Sequence, residues 1–240
     1  MVNFNSNLYQ LSRMQNSVIT PAVFSFLKEL EKNNNRDWFT ENKKEFKSLE
    51  TEMKSFFNTL GEEVSTHDKI EKIKVFRIYR DIRFSKNKTP YKINFSSSLA
   101  RAGAKLRGGY YTHIEPRNAS FIAAGFWGPE KEDLLRIRKE LELDASEFRA
   151  VIGNRKIKNI WGDLIGDEVK TAPKGFDKEH PNIDLIRKKQ FIFTRKFTDK
   201  EVLDPSFLQE VSNSFKAIRS YFDLMSDVLT TNLNGESLLD

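Results

Sequence analysis

The apolar residues of this chain change their spacing twice along its length, and that change constrains the fold more than any other feature. Phe39, Phe46, Leu49, Met53, Phe56, Leu60 and Val64 recur at intervals of three, four or seven. Such spacing marks one face of an amphipathic helix, here beginning near Asp37. Gly61 falls late in the run and is expected to shorten it. A shorter helix precedes it. Thr20-Pro21 supplies a capping hydroxyl and a proline for the first turn, Val23, Phe24, Leu27 and Leu30 form its face, and Asn33-Asn34-Asn35 ends it.

The middle of the chain drops to a period of two. Lys74 to Tyr79 reads as a strand, and Ile93, Phe95, Ser97 and Leu99 alternate with Asn94, Ser96 and Ser98. Tyr110 to Glu115 follows Gly108-Gly109. Its partner is Ala119 to Trp127, reached through a tight turn at Pro116-Arg117-Asn118. Helical spacing then returns at Glu130 to Leu141 and from Asp144 to Ile152. Residues 153–180 are expected to be irregular, and Gln190 to Phe197 reads as one more strand. After Asp204-Pro205, a single final helix carries Leu208, Val211, Phe215, Ile218, Phe222, Met225 and Leu229.

Short connections between strands imply antiparallel pairing, because parallel neighbours need a long crossover. Helices, then strands, then helices predict an α+β fold, a mainly antiparallel sheet with helices packed on it. No internal repeat or low-complexity linker divides the chain. A single domain is therefore expected over residues 20–230, with a flexible lead-in at 1–19 and a disordered tail at 231–240. A chain of 240 residues can bury enough surface to need no staple. The 20 phenylalanines are read first as core. Absence of cysteine excludes disulfides, thiol catalysis and thiolate metal sites. No window offers the ~20 apolar residues of a membrane helix, and the polar first twenty residues do not read as a signal peptide. The expectation is a soluble, cytoplasmic protein with no membrane partner.

Charge is concentrated in one place. The segment Arg77 to Lys92 holds six cations and one acid, a local charge of +5 against +6 for the whole chain. Guanidinium groups grip carboxylate or phosphate through paired hydrogen bonds, and loops beside a rigid sheet commonly carry function. One reading is an anion site. Arg77, Arg80 and Arg83 would be the clamps and Asp81 their orienter, with Lys88 and Tyr91 as further donors and Arg36 enlarging the site. A second reading is a nucleic-acid-binding module with the same cations and Tyr91, Tyr110 and Tyr111 for stacking. A third makes Arg77, Arg80 and Asp81 a buried ion network that only holds the fold, since buried charges must be paired. The partner is thus an anionic small molecule, a nucleic acid, or none.

Three histidines are present. His113 and Glu115 lie two apart on a strand, so both face the same way as Tyr111. His180 precedes Pro181 in an irregular stretch. His113, Glu115 and His180 would serve acid–base chemistry if they converged on the basic segment; otherwise each histidine is a hydrogen-bonded structural residue. No His-x-x-x-His spacing or dense acid cluster points to a metal, and no phosphate loop, dinucleotide fingerprint or serine elbow is present. No metal and no cofactor are expected. Trp38, Trp127 and Trp161 read as core rings or as the lining of a pocket.

Several of these residues together resemble a family known as domain of unknown function 2461. Its long central motif is matched by Arg77, Arg80, Asp81, Arg83, Phe84, Asn87, Lys88 and Tyr91. Asn33-Asn34 with Arg36, Trp38-Phe39 and Asn42-Lys43 resembles its opening. Gly109-Tyr110-Tyr111 through Glu115-Pro116 and Ala172-Pro173-Lys174-Gly175-Phe176 with His180-Pro181 are similar to later pieces. The resemblance covers residues 21 to 229. It implies a fold neighbourhood and assigns no reaction.

Overall fold

The computed structural model describes residues 18–239. Most of the expected lead-in and the last residue of the expected tail lie outside them. Three helices open the described chain: α1 (Pro21–Lys32), α2 (Arg36–Glu41) and α3 (Lys43–Val64). The apolar stripe of the sequence spans both α2 and α3, and the break between them falls at Asn42. Asn35 caps α2, its side chain accepting a bond from the Trp38 amide at 3.0 Å.

Five strands follow in an antiparallel meander, each beside its sequence neighbour: β1 (Ile70–Val75), β2 (Phe95–Arg101), β3 (Gly109–Ile114), β4 (Ser120–Phe126) and β5 (Phe191–Phe197). The α+β, mainly antiparallel fold expected from the sequence is the one observed. Between β4 and β5 lie α4 (Lys131–Leu143), α5 (Ser146–Ile152), α6 (Arg155–Trp161) and the short α7 (Ile183–Ile186). After β5 come α8 (Asp199–Val202), α9 (Phe207–Ala217) and α10 (Arg219–Thr230).

Strand register separates the two faces of the sheet. One line of neighbours, Ile73, Leu99, Tyr110, Ala124 and Phe193, points into the core. There α3 packs on β1 and β2, α9 lies against α3, and α6 meets β5. Rings dominate the contact: Phe46 stacks on Phe95, and Tyr110 lies 4.5 Å from Phe215 and 5.0 Å from Phe222 between centroids. The opposite, outer face carries Lys74, Ser98, Tyr111, Ala123 and Thr194 on one line and Ser96, His113, Phe121 and Lys196 on another.

Several expected boundaries shift for physical reasons. Gly61 does not shorten α3, which continues to Val64. It lets β1 cross closely, since a Cβ there would stand 2.3 Å from Ile73 Cδ1. The first strand covers Ile70–Val75, so Arg77 and Arg80 lie past its end. Within the stretch expected to be irregular, Asn154 caps α6, and Trp161 Nε1 donates to the Ser214 carbonyl at 3.1 Å. The single final helix is two, α9 and α10, separated at Ile218. Ile218 stays fully buried, so the apolar spacing runs through the break and hides it. Past α10 the Leu238 amide donates to the Thr230 carbonyl at 2.8 Å, and Arg136 donates to the carbonyls of Thr231 and Asn232.

The β3–β4 turn places Arg117 and Asn118 at φ 68° and 58°, a left-handed pair matching the twist of the hairpin. Asp199 holds it, accepting from both backbone amides at 3.0 and 2.7 Å.

Candidate functional site

Residues 76–94 form an arm that leaves β1 and returns to β2. Its base is pinched shut by backbone bonds, Arg80 N–H to Pro90 at 2.9 Å and Lys92 N–H to Ile78 at 2.8 Å. Two core residues anchor it. Ile78 is buried, and Tyr91 stacks on Phe39 with centroids 3.9 Å apart and planes 16° from parallel. Asn34 clamps the Tyr91 backbone on both sides, donating to its carbonyl and accepting from its amide, each at 3.1 Å. Burial pushes the Tyr91 phenol above its ordinary pKa. Tyr91 therefore holds the arm to the core, and its hydroxyl is not among the groups lining the cleft described below.

The tip of the arm is self-bonded. Arg83 donates to both oxygens of Asp81, at 3.0 and 2.7 Å, and both side chains stand in solvent. The guanidinium holds the Asp81 carboxyl below the usual range. Lys88 Nζ donates to the Ile82 carbonyl at 2.9 Å. Arg83 and Lys88 are thus engaged within the tip. Arg36, exposed at the start of α2, lies near Tyr91. Arg77 is exposed just beyond β1.

Between the arm and the outer face of the sheet lies a cleft of about 560 Å³. Arg80, Asp81 and Lys92 line it from the arm, and Ser96, Tyr111, His113 and Glu115 from the sheet. Arg80 forms no ion pair with the described residues; its one side-chain bond goes to Thr89 Oγ1 at 3.5 Å. Lys92, the last residue of the basic segment, joins Arg80 in the cleft. Burial first, and then the charges of Arg77, Arg80 and Lys74, push its pKa below the ordinary lysine value. Desolvation accounts for most of that depression, and the neighbouring cations add to it. Phe76 lies under two ammonium groups, 5.0 Å from Lys74 and 5.5 Å from Lys92.

The floor of the cleft is a hydrogen-bonded row along β3. His113 Nε2 lies 2.8 Å from Glu115 Oε2, and His113 Nδ1 lies 3.2 Å from the Tyr111 hydroxyl. One proton arrangement satisfies both bonds: Nε2–H donates to the carboxylate, and Nδ1 accepts from the phenol. Phe121 stacks on the imidazole at 4.7 Å and fixes its plane. The row can take and pass a proton while the carboxylate stabilises the imidazolium. His180 does not join it. It sits before α7, its Nδ1 accepting the Asn182 amide at 3.1 Å, and it lines neither this cleft nor its neighbour.

A second cavity of about 630 Å³ continues the first, sharing Tyr111 and His113 and bounded by Phe121, Ala123, Gly125 and Trp127. In the sequence, the alternation of Phe121, Ala123 and Gly125 along β4 and on to Trp127 reads as a partner strand before it reads as a wall.

A buried ion network does exist, but it is built elsewhere. Asp68 accepts from Arg101 Nε at 2.7 Å and from the Tyr110 hydroxyl at 2.6 Å, and pairs with Arg219 at 3.2 Å. Burial and the Asp68 carboxylate push the Tyr110 phenol up. Arg77, Arg80 and Asp81 take no part in it, and Asp81 pairs instead with Arg83 at the exposed tip.

No helix among the described residues is long and apolar enough to cross a membrane. Comparison with curated proteins and with solved structures gave no match. A family model described as "Conserved hypothetical protein (DUF2461)" matches residues 22–224. That stretch holds the arm, the whole sheet and both cavities, and by it the chain belongs to the DUF2461 family.

Proposed function

We propose that this protein binds a phosphate- or carboxylate-bearing ligand in the cleft between the arm and the outer face of the sheet. Arg80 and Lys92 contact the anion, Arg77 adds to the positive field, and the Asp81–Arg83 pair keeps the tip of the arm in shape. The observation that carries the reading is that Arg80 and Lys92 share one cleft with His113 and Glu115. An anion held by the first pair lies beside a histidine polarised by the second. The chemistry that suits this arrangement is proton transfer at an atom near the anionic group, in which the Tyr111 oxygen takes the ligand's proton as the phenol passes its own to His113 Nδ1.

The test is calorimetric titration of phosphate and small carboxylates into the wild-type chain, Arg80→Ala and Lys92→Ala. Each substitution removes a charge-assisted contact and is expected to weaken binding by about tenfold or more, with melting temperature little changed. Undiminished affinity in both variants would overturn the proposal.

The nucleic-acid reading has less support. Of the three tyrosines expected to stack on bases, Tyr91 and Tyr110 are core residues, 6% and 1% exposed. Only Tyr111 faces the cleft. Steep loss of oligonucleotide binding with salt would restore it.

A further inference from the structure

Two adjoining cavities offer chemically different surroundings, and we infer that together they hold one ligand, an aromatic anion of the size of a 5′-nucleotide, whose charged group meets Arg80 and Lys92 and whose flat ring lies beside Trp127. The inference rests on the anion site proposed above and names the rest of the ligand.

Tyr111 and His113 line both cavities, so the two adjoin along these side chains. At one end stand Arg80 and Lys92. At the other, Trp127 is 56% exposed, an unusual state for so large a ring. Its centroid lies 6.3 Å from that of Tyr111, which lies 5.8 Å from that of Phe121. The floor between these rings is kept low by Ala123, Gly125 and Gly109. Gly109 and Gly125 are register partners. A Cβ on Gly125 would meet the Phe191 carbonyl at 2.2 Å, so that low floor is imposed by the sheet itself.

Inorganic phosphate or a small carboxylate would leave the ring end wet. A purely apolar ligand would leave two cations without a counter-charge. A flat ring joined to a phosphate by a sugar-sized spacer satisfies both ends, because every such ring has a face on which an aromatic side chain can stack.

The test is calorimetric titration of the full chain with AMP, ribose 5-phosphate and hexyl phosphate, repeated for Trp127→Ala. AMP is expected to bind about ten- to a hundredfold more tightly than ribose 5-phosphate. Trp127→Ala is expected to bring AMP down to the level of ribose 5-phosphate; Trp127 is exposed, so the variant should melt as the wild type does. Equal affinity for AMP and ribose 5-phosphate would overturn the inference and leave the anion site standing. Hexyl phosphate binding more tightly than AMP would overturn it in favour of an alkyl body. Affinity that climbs with oligonucleotide length and collapses with salt would overturn it in favour of a nucleic-acid strand. No binding by any of the three phosphates would remove the anion site as well.

Discussion

Arg101 and Asp68 meet at 2.7 Å with both side chains sealed from solvent, joined by the hydroxyl of Tyr110 and a second arginine, Arg219. This cluster ties β2 and β3 to the start of α10 on the core side of the sheet. Removing one member of a buried pair leaves the other charge stranded, which is far worse than losing a hydrogen bond. Asp68→Ala is expected to cost roughly 3–5 kcal/mol of stability. Tyr110→Phe, which deletes only a hydroxyl, is expected to cost about 1 kcal/mol. Urea denaturation of both variants checks the ordering; equal losses would mean that Asp68 does not neutralise Arg101.

His67 gives the fold an acid limit. Burial, followed by the charge of Lys216, lowers its pKa below that of an ordinary histidine, while Nε2 bonds the Ser212 hydroxyl at 3.0 Å. A group whose folded pKa is depressed contributes stability that is complete above the unfolded value of about 6.5 and is lost as pH falls toward the folded value. Melting temperature should therefore drop on acidification from pH ~7 to pH ~5 more in the wild type than in His67→Gln, which cannot titrate. Parallel curves for the two proteins would rule this out.

Lys92 sets the alkaline limit of ligand binding. Its depressed pKa means that the ammonium is disfavoured until an anion arrives. Binding takes up a proton, so affinity should fall as pH rises on the acid side of about 10.4, the ordinary lysine value. Sulfate is a suitable probe because it does not titrate in that range. Its affinity should decline in the wild type and hold steady in Lys92→Arg, whose guanidinium keeps its proton. A flat wild-type profile would exclude Lys92 as an anion contact.

Two glycines test how closely the sheet is packed. At Gly125, φ is +137° and an added Cβ would meet the backbone oxygen of Phe191 at 2.2 Å. At Gly61, φ is ordinary for a helix and the obstacle is the end of the Ile73 side chain, which can move. Gly61→Ala should cost about 1–3 kcal/mol and Gly125→Ala more, because backbone strain adds to overpacking there. Thermal melts of the two variants give the comparison, and the reverse order would contradict it.

Apolar spacing carried most of the fold in the sequence. The helix faces of α1 and α3 and the alternation of β2 and β3 were legible because burial on one side repeats at 3.6 or 2 residues whatever the neighbours are. Breaks that leave the spacing intact were not. Asn42 and Ile218 interrupt helices without moving any residue off the apolar face, so the stripes read straight through. Helix α6 was hidden in a stretch of Gly, Lys and Asp because only Ile157 and Trp161 of its seven residues are buried.

The site divides in the same way. The sequence alone determined that positive charge gathers in Arg77–Lys92, and that Tyr111, His113 and Glu115 share one face of a strand; composition and period two require no partner to be known. Tertiary structure decided which of those cations meet that face. Tyr91 and Ile78 are drawn into the core and Asn34 clamps the arm, which leaves Arg80 and Lys92 over the sheet. Arg83 folds back on Asp81, and His180 is carried to another part of the molecule. In a loop, the direction of a side chain follows from contacts with residues distant in sequence, and no local pattern records them.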